Sequence, residues 1–324
     1  MEIHAESITV IGLATLQLTP SPRSDFNIFD ERLTKQLLDY RHIYLRNPKV
    51  MAVLKFRSLV MQIIREWFER NGFVEFDAPI LTPVPLYEGK TAIPVCIHDE
   101  NVYLTQCAGF YLEAAAQAFE RVYNMGPSFR GEESRSKRHL MEYWHIKAEL
   151  AFGDREDIMR LVEEVLTYVT QECAVRSQEI LSVLGVKMCL DGSKTPFPRI
   201  SYEDSVRYLA SKGYDSVFGQ SISTAEEEEL SKLYDSPFWI VGIPRSVEPF
   251  PYTIDHNDKR ITMVADLIAS NGCGELLGVA EKIYDPVMLD ERLNEKINLE
   301  KNVINLFAIS TKPDACLISH LAWV

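Results

Sequence analysis

Two β-rich runs, residues 121–130 and 142–152, flank a charged link that holds Glu132, Glu133, Arg135, Lys137, Arg138 and His139. No other segment restricts the architecture so strongly. Two such runs joined by a short link pair antiparallel, and the hairpin aims an arginine and several loop cations at a polyanion with an aromatic nearby. Three further β-rich segments, 238–243, 260–268 and 275–284, follow one another without intervening helices, which favours an antiparallel sheet over a doubly wound one. Helices are expected around them. In 51–71, Val53, Leu54, Phe56, Val60, Ile63, Ile64, Trp67 and Phe68 recur at helical spacing, and Gly72 sits where a C-terminal cap belongs. A strand is expected over 73–81. Residues 109–121 are rich in Ala and Leu, and Asp154 is placed to cap a helix whose apolar face is Ile158, Leu161, Val162, Val165, Leu166 and Val169. The expected class is α+β. No GxGxxG follows a strand and no GxxxxGK[ST] occurs, so neither a Rossmann nor a P-loop reading is available.

At 324 residues the chain can bury a large core, as one big domain or two small ones. No apolar run approaches the roughly 18 residues that span a bilayer, and MEIHAESITV lacks a basic start followed by an apolar block. A cytoplasmic protein with no membrane partner is therefore expected. The net charge of −13 is wrong for a protein dominated by phosphate-backbone contacts, although a local basic patch could still bind RNA. Six cysteines form no CxxC and no paired spacing, so they read as thiols in a reducing compartment, without a structural zinc site. Residues 5–20 look like one or two strands and a turn, and the acidic run 226–229 reads as a solvated helix face.

The order Phe129-Arg130-x-Glu132, then Arg138-His139-Leu140-x-Glu142-Tyr143, then Glu149, resembles motif 2 of the class II aminoacyl-tRNA synthetases in its asparaginyl/aspartyl form. The helix over 51–71 with Gly72-Phe73 and Asp77-Ala78-Pro79-Ile80-Leu81 resembles motif 1, which implies a two-fold homodimer. The run Pro237-Phe238-Trp239-Ile240-Val241-Gly242-Ile243-Pro244-Arg245 is similar to the archaeal asparagine synthetase related to this branch. The resemblance implies a class II synthetase-like antiparallel sheet flanked by helices, without a complete anticodon-binding barrel. Residues 1–30 would be a remnant or leader and 31–324 the catalytic domain. It also implies ATP and Mg²⁺. Arg130 would lie on the α-phosphate as the catalytic cation, Arg138 and His139 on the departing pyrophosphate, and Glu132 and Tyr143 on adenine. Asp266 and Glu275 would hold the metal, with Glu275 also at the ATP. Gln106, Cys107, Gly109, Lys147, Glu149 and Lys282 would line the pocket for the acid.

This sequence departs from the family where the substrate ammonium is held. Cys107 and Gly109 stand in a loop that reads roughly Ser-x-Gln in relatives, Lys147 replaces an acidic residue, and Lys282 replaces an arginine. Val279-Ala280 replace a glycine-serine pair. These changes predict a substrate that is not a free α-amino acid held in the usual way, with a second carboxylate set against Lys147. The glycine-rich third motif is lacking, and 302–324 are atypical. One choice of synonymous codons for 312–324, read in a shifted frame, spells Pro-His-x-x-Phe-Gly-Leu-Gly, which points to a frameshift near 302–305. The leading expectation is ATP-dependent adenylation of a small, aspartate- or asparagine-like carboxylic acid. The acyl group then passes to ammonia, an amine or another small nucleophile, with tRNA disfavoured as acceptor. The alternatives are a truncated asparagine–tRNA ligase acting on tRNA, or an inactive paralogue that binds a partner.

Overall fold

The computed structural model describes residues 4–12, 17–83, 91–132 and 140–295, with the backbone of 318–323. The chain forms two compact units: Met1–Gln62 with Cys173–Met188, and Ile63–Glu172 with Cys189–Val324.

The first unit is built from short helices. A 3-10 turn, Glu31–Leu33, leads into α1 (Thr34–Asp39) and α2 (Arg41–Tyr44), followed by the start of α3 (Pro48–Arg70). Asn47 organises the entry to α3. Its Oδ1 accepts from the Lys49 N–H at 2.9 Å, while its Nδ2 donates to the Pro22 carbonyl at 2.8 Å. The Tyr44 hydroxyl donates to the Pro20 carbonyl at 2.9 Å. The strands expected within 5–20 are not found among the described residues. Ile8, Val10 and Ile11 are exposed, so their apolar character meets no sheet to join.

In the second unit, α3 ends as the sequence predicts. Gly72 takes φ +76°, and the Phe73 N–H closes back on the Phe68 carbonyl at 3.0 Å. The expected strand 73–81 is only two short pieces, β1 (Val74–Glu75) and β2 (Leu81–Thr82). Pro79 between them cannot donate to a ladder. β3 (Pro94–Ile97) and β4 (Glu100–Leu104) join β2 in a three-stranded sheet ordered β2-β4-β3. Next come α4 (Gly109–Phe119), the hairpin β5 (Arg121–Phe129) and β6 (Glu142–Ala151), and α5 (Arg155–Arg176), whose start is capped by Asp154 Oδ1 on the Asp157 N–H at 2.8 Å. After α6 (Gln178–Leu184, in the first unit) run β7 (Arg199–Ser201), α7 (Tyr202–Ser211), α8 (Thr224–Leu230), β8 (Phe238–Val241), β9 (Val264–Ala269), β10 (Gly274–Glu281), α9 (Pro286–Glu295) and β11 (Ile318–Trp323).

One eight-stranded sheet orders these as β1-β5-β6-β11-β10-β9-β8-β7. Its inner neighbours are antiparallel, and only the outer pairs β1·β5 and β7·β8 are parallel. This is the mixed helix-and-sheet architecture expected, with no closed barrel among the described residues. β11 comes from the atypical carboxy-terminal segment, yet its backbone fills the slot between β6 and β10.

Alternation assigns the two faces. Tyr143, His145, Lys147 and Glu149 share one face of β6; Ile146, Ala148 and Leu150 share the other. On the second face Trp239 donates its indole N–H to Glu163 of α5 at 3.0 Å. Ile158, Val162 and Val165 of α5 are fully buried, each stabilising the fold by about 1.5–3 kcal/mol. On the first face α4 packs through Leu112, Ala115 and Ala116 against Val122, while α7 and α8 pack through Tyr202, Leu209 and Leu230 against Phe238, Ile240 and Ile268. The strip of sheet between these two helical covers holds the polar residues.

Candidate active site

Three groups of side chains stand on that strip. At the open end of the hairpin, the Arg130 N–H donates to the Met141 carbonyl at 2.9 Å, which adds a rung beyond β5 and fixes the base of its side chain. The Arg130 guanidinium lies 5.8 Å from the centroid of the Tyr143 ring. The Tyr143 hydroxyl is enclosed, with no partner among the described residues. Burial pushes the phenol above its ordinary pKa, with the Arg130 charge opposing. Glu132 is exposed just beyond Gly131, whose N–H donates to the Thr91 carbonyl at 2.7 Å. Arg138 and His139 lie outside the described residues.

The second group is acidic. β9 and β10 pair with Gly278 opposite Asp266 and Glu275 opposite Ile268, with a bulge between Glu275 and Leu277. The bulge restores Glu275 to the face of Asp266. A Cβ on Gly278 would stand 3.1 Å from Asp266 Oδ1 and 3.9 Å from Glu275 Oε1, so both carboxylates lie over a backbone without a side chain. Glu227 Oε2 accepts from the Glu275 N–H at 3.2 Å. Burial, then the charges of Glu275, Glu248 and Glu227, push the Asp266 carboxyl well above the usual carboxylate range. A pair so arranged fits a hard divalent ion, which takes carboxylate oxygens and removes that repulsion.

The third group is enclosed. Lys282 donates to Glu149 Oε1 at 2.7 Å and also to Glu113 of α4. Burial drives both carboxyl groups above their ordinary pKa even with the Lys282 ammonium beside them. Burial opposes the ammonium in turn, but the two carboxylates outweigh it and hold its pKa above normal. Lys147, 3% exposed, directs its Nζ to Cys107 Sγ at 3.1 Å. A Cβ on Gly109 would meet that Nζ at 2.7 Å, so the glycine at the start of α4 makes room for the ammonium. Gln106 is buried beside this loop and donates to Thr91 Oγ1 at 2.7 Å.

Sheet register ties the groups together. Lys147 pairs with Ala322, Ala322 with Gly278, and Gly278 with Asp266, so Lys147 and Asp266 share a face three strand spacings apart, roughly 14 Å. Tyr143 lies four residues along β6 from Lys147, roughly 13 Å on the same face. Arg130, Tyr143, Asp266, Glu275, Lys147, Glu149 and Lys282 thus surround one stretch of sheet.

Two residues of this surface were not foreseen. Glu113 is the single acid in the apolar start of α4, and an unbalanced carboxylate there is the signal for it. Glu227 corrects the reading of 226–229 as solvated: it is 8% exposed, because it stands one helical turn from the buried Leu230. Glu226, next to it, closes a capping box with Ser223.

Known proteins resemble this chain over most of its length. The family described as tRNA synthetases class II (D, K and N) matches residues 34–309. Asparagine–tRNA ligase of Pyrococcus abyssi is 35% identical over 296 residues, covering 91% of this chain and 67% of that protein. The ligase of Desulforamulus reducens is 38% identical over 260 residues, covering 80% of this chain and 61% of that protein. The crystal structure of asparaginyl-tRNA synthetase from Pyrococcus horikoshii complexed with asparaginyl-adenylate superposes with a TM-score of 0.85 at 32% identity, over 90% of this chain and 67% of that one. This chain therefore spans about two thirds of the length of these relatives. Because these relatives are tRNA ligases, the expectation that tRNA is disfavoured finds no support; a net charge averages over a surface and says little about one patch. The sheet, the hairpin and the sequence match agree: the chain belongs to the class II tRNA synthetases of the D, K and N group.

Proposed function

We propose that this chain activates a small carboxylic acid with ATP, releasing pyrophosphate and forming an acyl adenylate, in the manner of an asparagine–tRNA ligase with tRNA as acyl acceptor. The observation that carries the reading is the shared face: Arg130 over Tyr143 at the hairpin mouth, and Asp266 with Glu275 over the bare Gly278 on the same sheet. In the reaction a carboxylate oxygen attacks the α-phosphorus while the bond to the pyrophosphate oxygen breaks. Arg130, always charged and planar, would hold the α-phosphate and offset the negative charge that develops there. Tyr143 would lie against the base, with Glu132 at its edge, and Arg138 and His139 would meet the departing pyrophosphate. Asp266 and Glu275 would hold Mg²⁺, which supplies positive charge to the polyphosphate. Gln106, Cys107, Gly109, Lys147, Glu149 and Lys282 would form the acid pocket. The division into a remnant or leader segment, 1–30, and a catalytic domain, 31–324, and a homodimer formed through the region of α3 and β1, belong to the same reading.

A second acceptor, ammonia or a small amine, belongs to the same chemistry, because any nucleophile that reaches the acyl carbonyl can displace AMP. ATP–pyrophosphate exchange across a panel of carboxylic acids, with and without tRNA, tests both. Acid-dependent exchange is expected, and in a separate transfer assay a labelled acid should pass to tRNA in the first reading and to ammonia in the second, with AMP released in each. Arg130→Ala should lower exchange about 10²–10³-fold. Absence of exchange with every acid, in folded protein, would sink the proposal and leave a binding protein.

A further inference from the structure

Lys147 is an odd residue to enclose. It is 3% exposed, and an ammonium has three hydrogens to place. Among the described residues its one hydrogen-bond acceptor is Cys107 Sγ at 3.1 Å, and a thiol sulfur is a weak acceptor. Glu113 and Glu149 feel the Lys147 charge, but both accept hydrogen bonds from Lys282 and neither accepts one from Lys147 among the described residues. The ammonium also sits against the amino-terminal end of the eleven-residue helix α4, since the position of a Cβ on Gly109 is 2.7 Å away. That end of a helix carries partial positive charge, and its first N–H, from Gly109, donates to Cys107 Sγ at 3.3 Å. An enclosed ammonium and a helix start therefore meet at one point, and each favours an anion there.

The geometry points to a small dicarboxylic acid as the compound activated here: one carboxylate reacts, and the second lies against Lys147 beside the start of α4, where no substrate ammonium is received. The inference rests on the proposed adenylation and specifies its substrate class. An ammonium brought to the same place meets a like charge and the wrong end of a helix dipole, while the nearby carboxylates are already shared with Lys282. The acidity of the cluster agrees. Burial pushes Glu113 and Glu149 towards holding a proton. Gly109 completes the arrangement, because any side chain at that position would crowd the ammonium or the thiol.

The test compares succinate with aspartate, and succinamate with asparagine, by titration calorimetry on the whole chain without nucleotide, then by ATP–pyrophosphate exchange. Succinate is expected to bind at least tenfold more tightly than aspartate and to be the best substrate for exchange. Lys147→Met, which keeps the length of the side chain and removes its charge, should weaken succinate at least tenfold. Gly109→Ala should weaken it as well, by displacing the ammonium without altering charge. Circular dichroism and a MgATP titration establish that both variants are folded. Tighter binding of aspartate or asparagine than of its deaminated partner overturns the inference, as does succinate binding that is absent or indifferent to Lys147→Met. Failure of the parent reading is seen separately: the wild-type chain then shows no MgATP binding and no exchange, whatever the acid titrations give.

Discussion

Lys282 has an unusual task for a lysine, holding two carboxylates from different elements in a place closed to water. Glu113 comes from a helix and Glu149 from the middle of the sheet, so the three residues lock α4 onto β6 and β10. Removing one member of a buried charge group leaves the others uncompensated. Lys282→Met is expected to cost about 3–5 kcal/mol at neutral pH, read from urea denaturation midpoints. The cost should shrink in acid, where the stranded carboxyl groups take up protons. Glu113 predicts a second pH effect. Its folded-state pKa is raised above the ordinary 4.5, so the folded chain keeps a proton that the unfolded chain has released. The stability this proton contributes is present below that value and is lost as the pH rises through the raised pKa. Glu113→Gln should therefore show a shallower fall in stability than the parent as the pH rises above the ordinary carboxyl value.

At the scale of elements, the acidic pair depends on a β-bulge and a glycine. The bulge after Glu275 turns that side chain to the face of Asp266, and Gly278 leaves the floor beneath both open. α8 braces the bulge, since Glu227 accepts the Glu275 N–H. Gly278→Ala would insert a methyl 3.1 Å from Asp266 Oδ1. The expected result is a folded protein whose Mg²⁺-dependent ATP–pyrophosphate exchange falls on the order of tenfold, as small displacements of positioning groups do. A matching rise in the Mg²⁺ concentration needed for half-maximal rate would locate the damage at the two carboxylates. An unchanged magnesium dependence would remove the pair from that role.

For the whole molecule, the proposed two-fold pairing predicts a sedimentation-equilibrium mass near twice the 37.1 kDa of one chain, and a monomer at all accessible concentrations would exclude it. Much of the architecture was legible in residue order. Strand runs without helices between them dictated an antiparallel sheet, and α3, its Gly72 stop and the Asp154 cap follow from rules that operate within a few residues. Strand alternation alone put Tyr143, Lys147 and Glu149 on one face. Pairing between distant segments was not legible. Ile8, Val10 and Ile11 have strand-like chemistry and no strand partner among the described residues, whereas the carboxy-terminal segment, which lacks the family's glycine-rich motif, supplies a strand at the centre of the sheet. Glu113 and Glu227 lay hidden for the same reason: a lone acid on an apolar helix and an acid in a charged run acquire meaning only from what is packed opposite. Local order thus determined which segments are strands and helices and which side chains share a face, because backbone geometry repeats over two to four residues. Tertiary structure alone decided that Lys282 belongs to two carboxylates while Lys147 is left facing a thiol and a helix start, because buried charge is settled by neighbours far apart in the chain.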